Sequence, residues 1–298
     1  MKRCAALLAA VAGSATPAAA EPAALKASVE LRVGAAAAPF YVDALPETSS
    51  EFTQARSMIF AGSYRVARSL WVGGRLPAAP STVRQPAGSY SDEKAFGNPE
   101  ASAEWLTPPV ALGARALVHL AVAGAIGLPL AGHGTESSLL ENRVVALSSA
   151  LDDWRNPQLY EPGVVPLTAA ARARIEPTPW GGELAVELPI MVRVGEASLP
   201  DEADTHPIGL VPHIEARGLV APLGWLTAEL GGHIAVQAVR AVEPAERSER
   251  SGRVQIGIEP GLCFRPGAGV SLTTRFSAAL GGPLAGTYAI GLGAAVER

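Results

Sequence analysis

Residues 183–195 read Glu-Leu-Ala-Val-Glu-Leu-Pro-Ile-Met-Val-Arg-Val-Gly. Leu184, Val186, Leu188, Ile190, Val192 and Val194 share one parity, while Glu183, Glu187 and Arg193 share the other. A period of two is the mark of a strand with one apolar and one polar face. The run exceeds ten residues, long for a soluble strand and suited to a tilted strand crossing a bilayer. A soluble β-sandwich or lipocalin-like barrel would also alternate, but its enclosed face should be apolar. Here the polar face carries Arg and Glu, so it must meet a lumen or water.

The pattern recurs along the chain. Val254, Ile256, Ile258, Leu262 and Phe264 oppose Arg253, Gln255, Glu259 and Arg265. Val270, Leu272, Phe276 and Leu280 oppose Ser271, Thr273, Arg275 and Ser277. Residues 116–132 form the most apolar run, yet Val118, Leu120, Val122 and Ile126 alternate with His119, Ala121, Ala123 and Ala125, and three glycines interrupt it. That spacing favours a strand over a membrane helix. Shorter stretches at 27–34, 58–67, 70–77, 99–106, 165–176, 208–220, 226–240 and 288–296 bring the expected number to twelve strands.

The connections alternate in length. Short ones fall at 67–69, 107–113, 177–181, 222–224 and 266–269, and longer ones at 35–50, 80–97, 131–162, 196–207 and 241–252. Short periplasmic turns and long outer loops are the pattern of an outer-membrane barrel. An even strand number places both termini at the short-turn end. The 281–286 connection is short at the opposite end, against the rule. Trp71, Trp105, Trp180 and Trp225 lie beside short turns, as an interfacial aromatic girdle would. The expected fold is therefore all-β, an antiparallel up-and-down transmembrane barrel of about twelve strands.

The chain opens with Met1-Lys2-Arg3, an apolar run from Ala5 to Gly13, and a small-residue stretch ending at Ala20. This reads as a signal peptide over 1–20, followed by the barrel domain over 21–298. Removing Lys2 and Arg3 takes the formal charge from −4 to −6, and nothing so acidic points to nucleic acid. Only Cys263 remains beyond the signal, so the mature chain forms no internal disulfide. The expected address is the cell outer membrane, with membrane lipid as partner of the apolar face and small solutes as candidate cargo. The sequence leaves the oligomeric state open.

Parity assigns the candidate lumen lining: Arg32, Arg65, Arg75, Glu104, Arg115, His119, Arg172, Arg174, Glu183, Glu187, Arg193, His213, Glu215, Arg217, Glu229, His233, Glu259 and Arg275. The tightest registers set Glu104 opposite Arg115, Arg174 opposite Glu183, Arg217 opposite Glu229, Glu259 opposite Arg275, and His213 opposite His233. Such pairs form either a structural ladder or a filter for polar and zwitterionic solutes. The lining holds more Arg than Glu, which leads us to expect a mild preference for anions. Two imidazoles fall short of the three or four ligands zinc takes, so neither metal nor cofactor is expected. A hydrolase would need a serine, a histidine and an orienting group at the rim. His133 with Ser137 and Ser138, or His206 beside Asp204, lie near outer loops, but neither sits in a Gly-x-Ser-x-Gly motif, and no enzyme is expected. The apolar spacing of Leu139, Leu140, Val144, Val145 and Leu151 in the 131–162 connection suits a short helix that folds into the lumen or over its mouth, or else a strand extension.

Residues 64–70 (Tyr-Arg-Val-Ala-Arg-Ser-Leu) run into Gly73-Gly74 and Leu76-Pro77. Gly97-Asn98-Pro99 opens the next strand, and Gly127-Leu128-Pro129 closes the fifth. In this order, over roughly residues 50–130, the chain resembles outer-membrane barrels of the transporter or MetA-pathway-of-phenol-degradation type, which are compared with FadL-type hydrocarbon channels. The resemblance implies a barrel that passes small molecules. The chain departs from FadL-type channels in its twelve expected strands against their fourteen, and in the absence of an N-terminal hatch ahead of its first expected strand. The expected function is a passive pore or transporter for small solutes, the alternative a structural or surface-interaction barrel with a closed lumen.

The loop pattern predicts orientation. Single cysteines at Ser91 and Asp204 should react with an impermeant maleimide on intact cells, and cysteines at Thr178 and Ala268 should not. The reverse pattern would invert the topology.

Overall fold

The computed structural model describes residues 24–36, 53–84, 90–112, 116–131, 147–152, 155–176, 179–194, 204–239, 242–243 and 253–298. The expected signal peptide, Arg115, His133, Ser137 and Ser138 lie outside them. The described residues form one closed antiparallel barrel of twelve strands: β1 (Leu25–Ala36), β2 (Thr53–Ala67), β3 (Leu70–Arg84), β4 (Tyr90–Phe96 continued by Glu100–Leu106), β5 (Ala116–Gly127), β6 (Val164–Ile175), β7 (Trp180–Arg193), β8 (Ile208–Leu210 continued by His213–Leu223), β9 (Leu226–Val236), β10 (Val254–Gly267), β11 (Val270–Gly281) and β12 (Tyr288–Glu297).

Neighbours in sequence pair as neighbours in space, and β1 closes the wall against β12 from Lys26↔Glu297 to Ala35↔Tyr288. The Leu25 N–H donates to the Arg298 carbonyl at 2.6 Å and the Arg298 N–H returns to Leu25 at 2.8 Å, so the described chain ends meet at the short-turn end. Closure leaves no spanning edge, which is what makes a sheet tolerable in hydrocarbon. Turns of two residues join β2 to β3 (68–69), β8 to β9 (224–225) and β10 to β11 (268–269). The last carries Gly269 at φ 73°, the left-handed conformation a tight hairpin demands.

The period of two holds through the wall. Phe60, Leu76, Leu120, Val122, Leu188, Leu230, Ile256 and Leu292 stand exposed on the outer face, where lipid meets them. The alternate positions turn inward, and on the long-loop half many are small: Ala55, Ala79, Ala235, Ala279 and Ala289 are buried. Three of the four tryptophans expected in the girdle face out. Trp71 does not: it is buried inside the barrel, with Lys26 Nζ 4.5 Å and the Arg65 guanidinium 5.7 Å from its ring centre. Trp225, inward by parity, swings outward in its turn and meets Phe264 edge-on at 5.4 Å.

The short 282–286 connection has a structural cause. It folds into the bore, with Leu284 fully buried and its N–H bound by Gln255 Oε1 at 2.9 Å. Gly282 and Gly286, at φ 98° and 89°, make the reversal.

The in/out assignment predicts unequal costs at adjacent positions of β7. Leu188→Arg should lose roughly 2–4 kcal/mol of folding stability in bilayer, and Glu187→Gln much less. Equal losses in urea refolding titrations would contradict the assignment.

Candidate functional site in the barrel lumen

The lumen is organised in three levels. At the long-loop end a stopper fills the bore. Residues 147–151 are helical, and a 3₁₀ turn follows at Pro157–Leu159. Leu147, Ala150, Leu151, Leu159 and Tyr160 are buried against the small inward residues of the wall together with Val164, Met191, Val211 and Leu284. Of the forms open to the 131–162 connection, its described part takes the one that enters the lumen.

Asn98 holds the stopper to the wall. It interrupts β4 at Gly97-Asn98-Pro99, is fully buried, and uses its donors and acceptor. Its Nδ2 donates to the carbonyls of Gln158 (2.9 Å) and Glu161 (2.8 Å), and its Oδ1 accepts from the Ala131 N–H (2.8 Å). Its backbone N–H donates to the Leu159 carbonyl at 2.6 Å. The glycine before it is required by this approach, since a Cβ at Gly97 would stand 2.3 Å from that carbonyl oxygen. Further ties are Ser148 Oγ to the Arg56 carbonyl (2.9 Å), Arg75 Nη1 to Asn156 Oδ1 (2.8 Å) and Gln158 Nε2 to Thr168 Oγ1 (3.3 Å). Burial pushes the Glu161 carboxyl up to about 7, while Arg193, 3.6 Å away, pulls it down. Burial also raises the Asp152 carboxyl, against the pull of Arg32 and Arg155.

Beneath the stopper lies a charged belt centred on Glu259 of β10, which is almost fully buried. Its Oε2 lies 2.7 Å from Arg155 Nη2 and 3.2 Å from Arg32 Nη1. Its Oε1 lies 3.1 Å from Arg217 Nη2 and 3.7 Å from Arg275 Nε. Arg32 also meets Glu30 at 2.8 Å and Asp152 at 3.1 Å. Arg217 meets Glu229 at 2.8 Å and pairs with Glu215, and Arg275 reaches Glu229 at 3.3 Å. The belt thus combines four guanidinium groups with five carboxylates. The arginine excess that suggested anion preference is neutralised here, because acids from the stopper and from neighbouring strands pair with the arginines.

Toward the short-turn end the bore opens into two cavities of about 390 and 640 Å³. Arg65 and Lys26 flank Trp71 there, and Glu104 and Arg172 line the smaller cavity. Arg172 lies 3.2 Å from Glu183 and 3.8 Å from Glu187, and Arg174 3.9 Å from Glu183. His119 sits opposite Arg174, and His213 Nε2 is 3.7 Å from Glu187.

Among the expected cross-strand pairs, Arg174↔Glu183 is present. The others are displaced. Glu104 sits opposite Ala123, Arg217 opposite Gly231, His213 opposite Ala235, and Arg275 opposite Gly261. The long side chains still meet along the diagonal in two cases, Arg217 with Glu229 and Arg275 with Glu259, because diagonal neighbours remain within arginine's reach. His213 stands in the same diagonal relation to His233, which sits opposite Glu215, and among the described residues no cluster of three candidate metal ligands occurs. His206 is exposed, between the two-residue strand Asp204–Thr205 and β8. The parity reading did not include Asn98, Glu100, Asp152 and Arg155. Glu100 binds Arg75 Nε at 3.0 Å; its signal was inward parity on β4. Asp152 and Arg155 belong to a segment with no strand register to extend.

No protein-family model matches the chain, and no curated protein matches it either. Among solved structures, its fold is similar to that of the COG4313 outer membrane channel from Pseudomonas putida F1, with 11% identity, a TM-score of 0.63, and coverage of 96% of this chain and 100% of that one. The NanC porin (5%, TM-score 0.48, coverage 91% and 99%) and the translocator domain of autotransporter NalP from Neisseria meningitidis (10%, 0.44, 100% and 94%) align more loosely. The protein is a twelve-stranded β-barrel of the outer membrane.

The belt makes Glu259 the costliest charge to remove. Glu259→Gln should lower folding stability by roughly 3–5 kcal/mol, as expected when one partner of a buried ion pair is lost. Glu176→Gln, at an exposed pair with Arg174, should cost less than ~1 kcal/mol. Comparable losses would mean that the belt is hydrated and weak.

Proposed function

We propose that the barrel is a channel for small polar solutes, shown here with its stopper docked. One observation carries this reading. The bore at the long-loop end is filled by a connecting segment, while the wall around it presents small residues such as Ala55, Ala79, Ala235 and Ala289. A permanently filled barrel would use its own wall side chains, as narrow barrels do. Below the stopper, cavities lined in part by charged side chains lie toward the short-turn end. The alternative, a structural or surface-interaction barrel, shares the same geometry and differs only in that the stopper never leaves.

The test is planar-bilayer conductance of refolded barrels. Asn98→Ala strips partners from two carbonyls and one N–H, each costing about 1–3 kcal/mol when left unsatisfied, so the stopper should loosen. The wild type should give small, brief openings and Asn98→Ala longer ones. Leu151→Ser supplies a second loosened variant should Asn98→Ala fail to fold. Heat-modifiable variant barrels that stay silent would reject the pore and leave the structural barrel.

Docking should also depend on pH. A carboxyl whose docked pKa lies above its released value favours docking while protonated. For Glu161 that contribution is complete below the ordinary 4.5 and is lost as pH rises through about 7. Open probability should therefore rise between about pH 5 and 8, and Glu161→Gln should flatten the rise. An unchanged profile in that variant would exclude Glu161 as the titrating group.

A further inference from the structure

Asp152 and Arg155 come from the stopper, not the wall, and each inserts a charge into the belt. The Asp152 carboxylate is held by Arg32 Nε at 3.1 Å, and the Arg155 guanidinium by Glu259 at 2.7 Å. The two charges are drawn together, since Arg155 Nε also donates to the Asp152 backbone carbonyl at 3.1 Å. On the wall side the two receiving groups adjoin, with Arg32 Nη1 3.2 Å from Glu259 Oε2. The wall therefore offers a seat for a carboxylate beside a seat for a cation, and the stopper fills both with one short loop.

The fit is incomplete. Arg155 and Glu259 bond at 2.7 Å, but both Asp152 carboxylate oxygens are buried without a hydrogen bond of good geometry, although Arg32 Nε stands 3.1 Å away. Buried polar groups left this way are costly. The stopper satisfies the charges of the seat but leaves its carboxylate side without directional bonding, as expected of a tethered stand-in.

We infer that the Arg32–Glu259 seat binds a small zwitterion of the amino-acid type, whose carboxylate replaces that of Asp152 at Arg32 and whose ammonium or guanidinium replaces Arg155 at Glu259, so that the cargo itself displaces the stopper. A free zwitterion can orient both groups independently, which the loop cannot. A lone anion or cation replaces one contact and leaves the other stopper charge in place. The inference rests on the channel reading for its consequence, but the binding step can be read separately.

The experiment uses refolded full-length chain with Cys4→Ser, Cys263→Ser and Ala150→Cys, and follows maleimide labelling of the buried position 150 with L-arginine as probe. A ligand that binds only the released form raises the released fraction about tenfold at roughly ten times its Kd, and labelling should accelerate accordingly. Agmatine, which keeps the guanidinium and lacks the carboxylate, should leave the rate unchanged, as should acetate. Adding Asp152→Asn and Arg155→Gln should give fast labelling that no longer responds to L-arginine. No acceleration by L-arginine, or equal acceleration by agmatine or acetate, overturns the inference. Conductance of Asn98→Ala decides the channel separately. If that variant conducts while L-arginine has no effect on labelling, only the zwitterion seat falls. If L-arginine accelerates labelling but no barrel conducts, the seat stands and the channel falls.

Discussion

A strand in hydrocarbon has no water to satisfy its N–H and C=O groups, so every spanning strand must find a partner on both sides. Pairing β1 with β12 meets that demand, and the rest of the molecule follows from it. A closed wall turns one parity to lipid and the other to an interior. The interior parity is then free to carry charges that a lipid-facing position would not tolerate, and twelve strands leave more space than side chains of the wall fill.

How that space is filled differs between the two ends. At the long-loop end the wall lines the bore with alanines, and a helical turn from the 131–162 connection packs its leucines against them. The stopper is attached through its backbone at Asn98, whose side chain takes the place of strand pairing where β4 breaks. Gly97 and Pro99 belong to the same device: the glycine admits the Leu159 carbonyl, and the proline carbonyl accepts the Leu128 N–H at 2.9 Å. The short-turn end keeps its bore open and lined with charge.

Between them the belt resolves the problem of burying charge. Glu259 is tolerable at such depth because guanidinium groups from four different segments surround it. Such an arrangement contributes little net stability compared with apolar packing. What it does provide is specificity of position: Arg155 and Asp152 find counterions at one level of the bore, so the stopper docks at one depth.

The sequence by itself determined the closed barrel, its strand number and which face each strand turns to lipid, because these depend on a period of two that every strand repeats, from Leu184–Val194 to Leu120–Ile126. It also contained the inward parity of most lumen charges. It did not determine which charges meet. Registers slipped by two residues from the tightest hairpins, so Arg217 and Arg275 reach their acids along diagonals, and His213 stands diagonal to His233 rather than opposite it. Nor could it place Trp225, whose parity ends at a turn. Asn98, Asp152 and Arg155 acquire their roles only in three dimensions. They lie in a strand break and a connection, where no periodicity fixes direction, and their partners are distant in sequence and are brought near by closure of the wall.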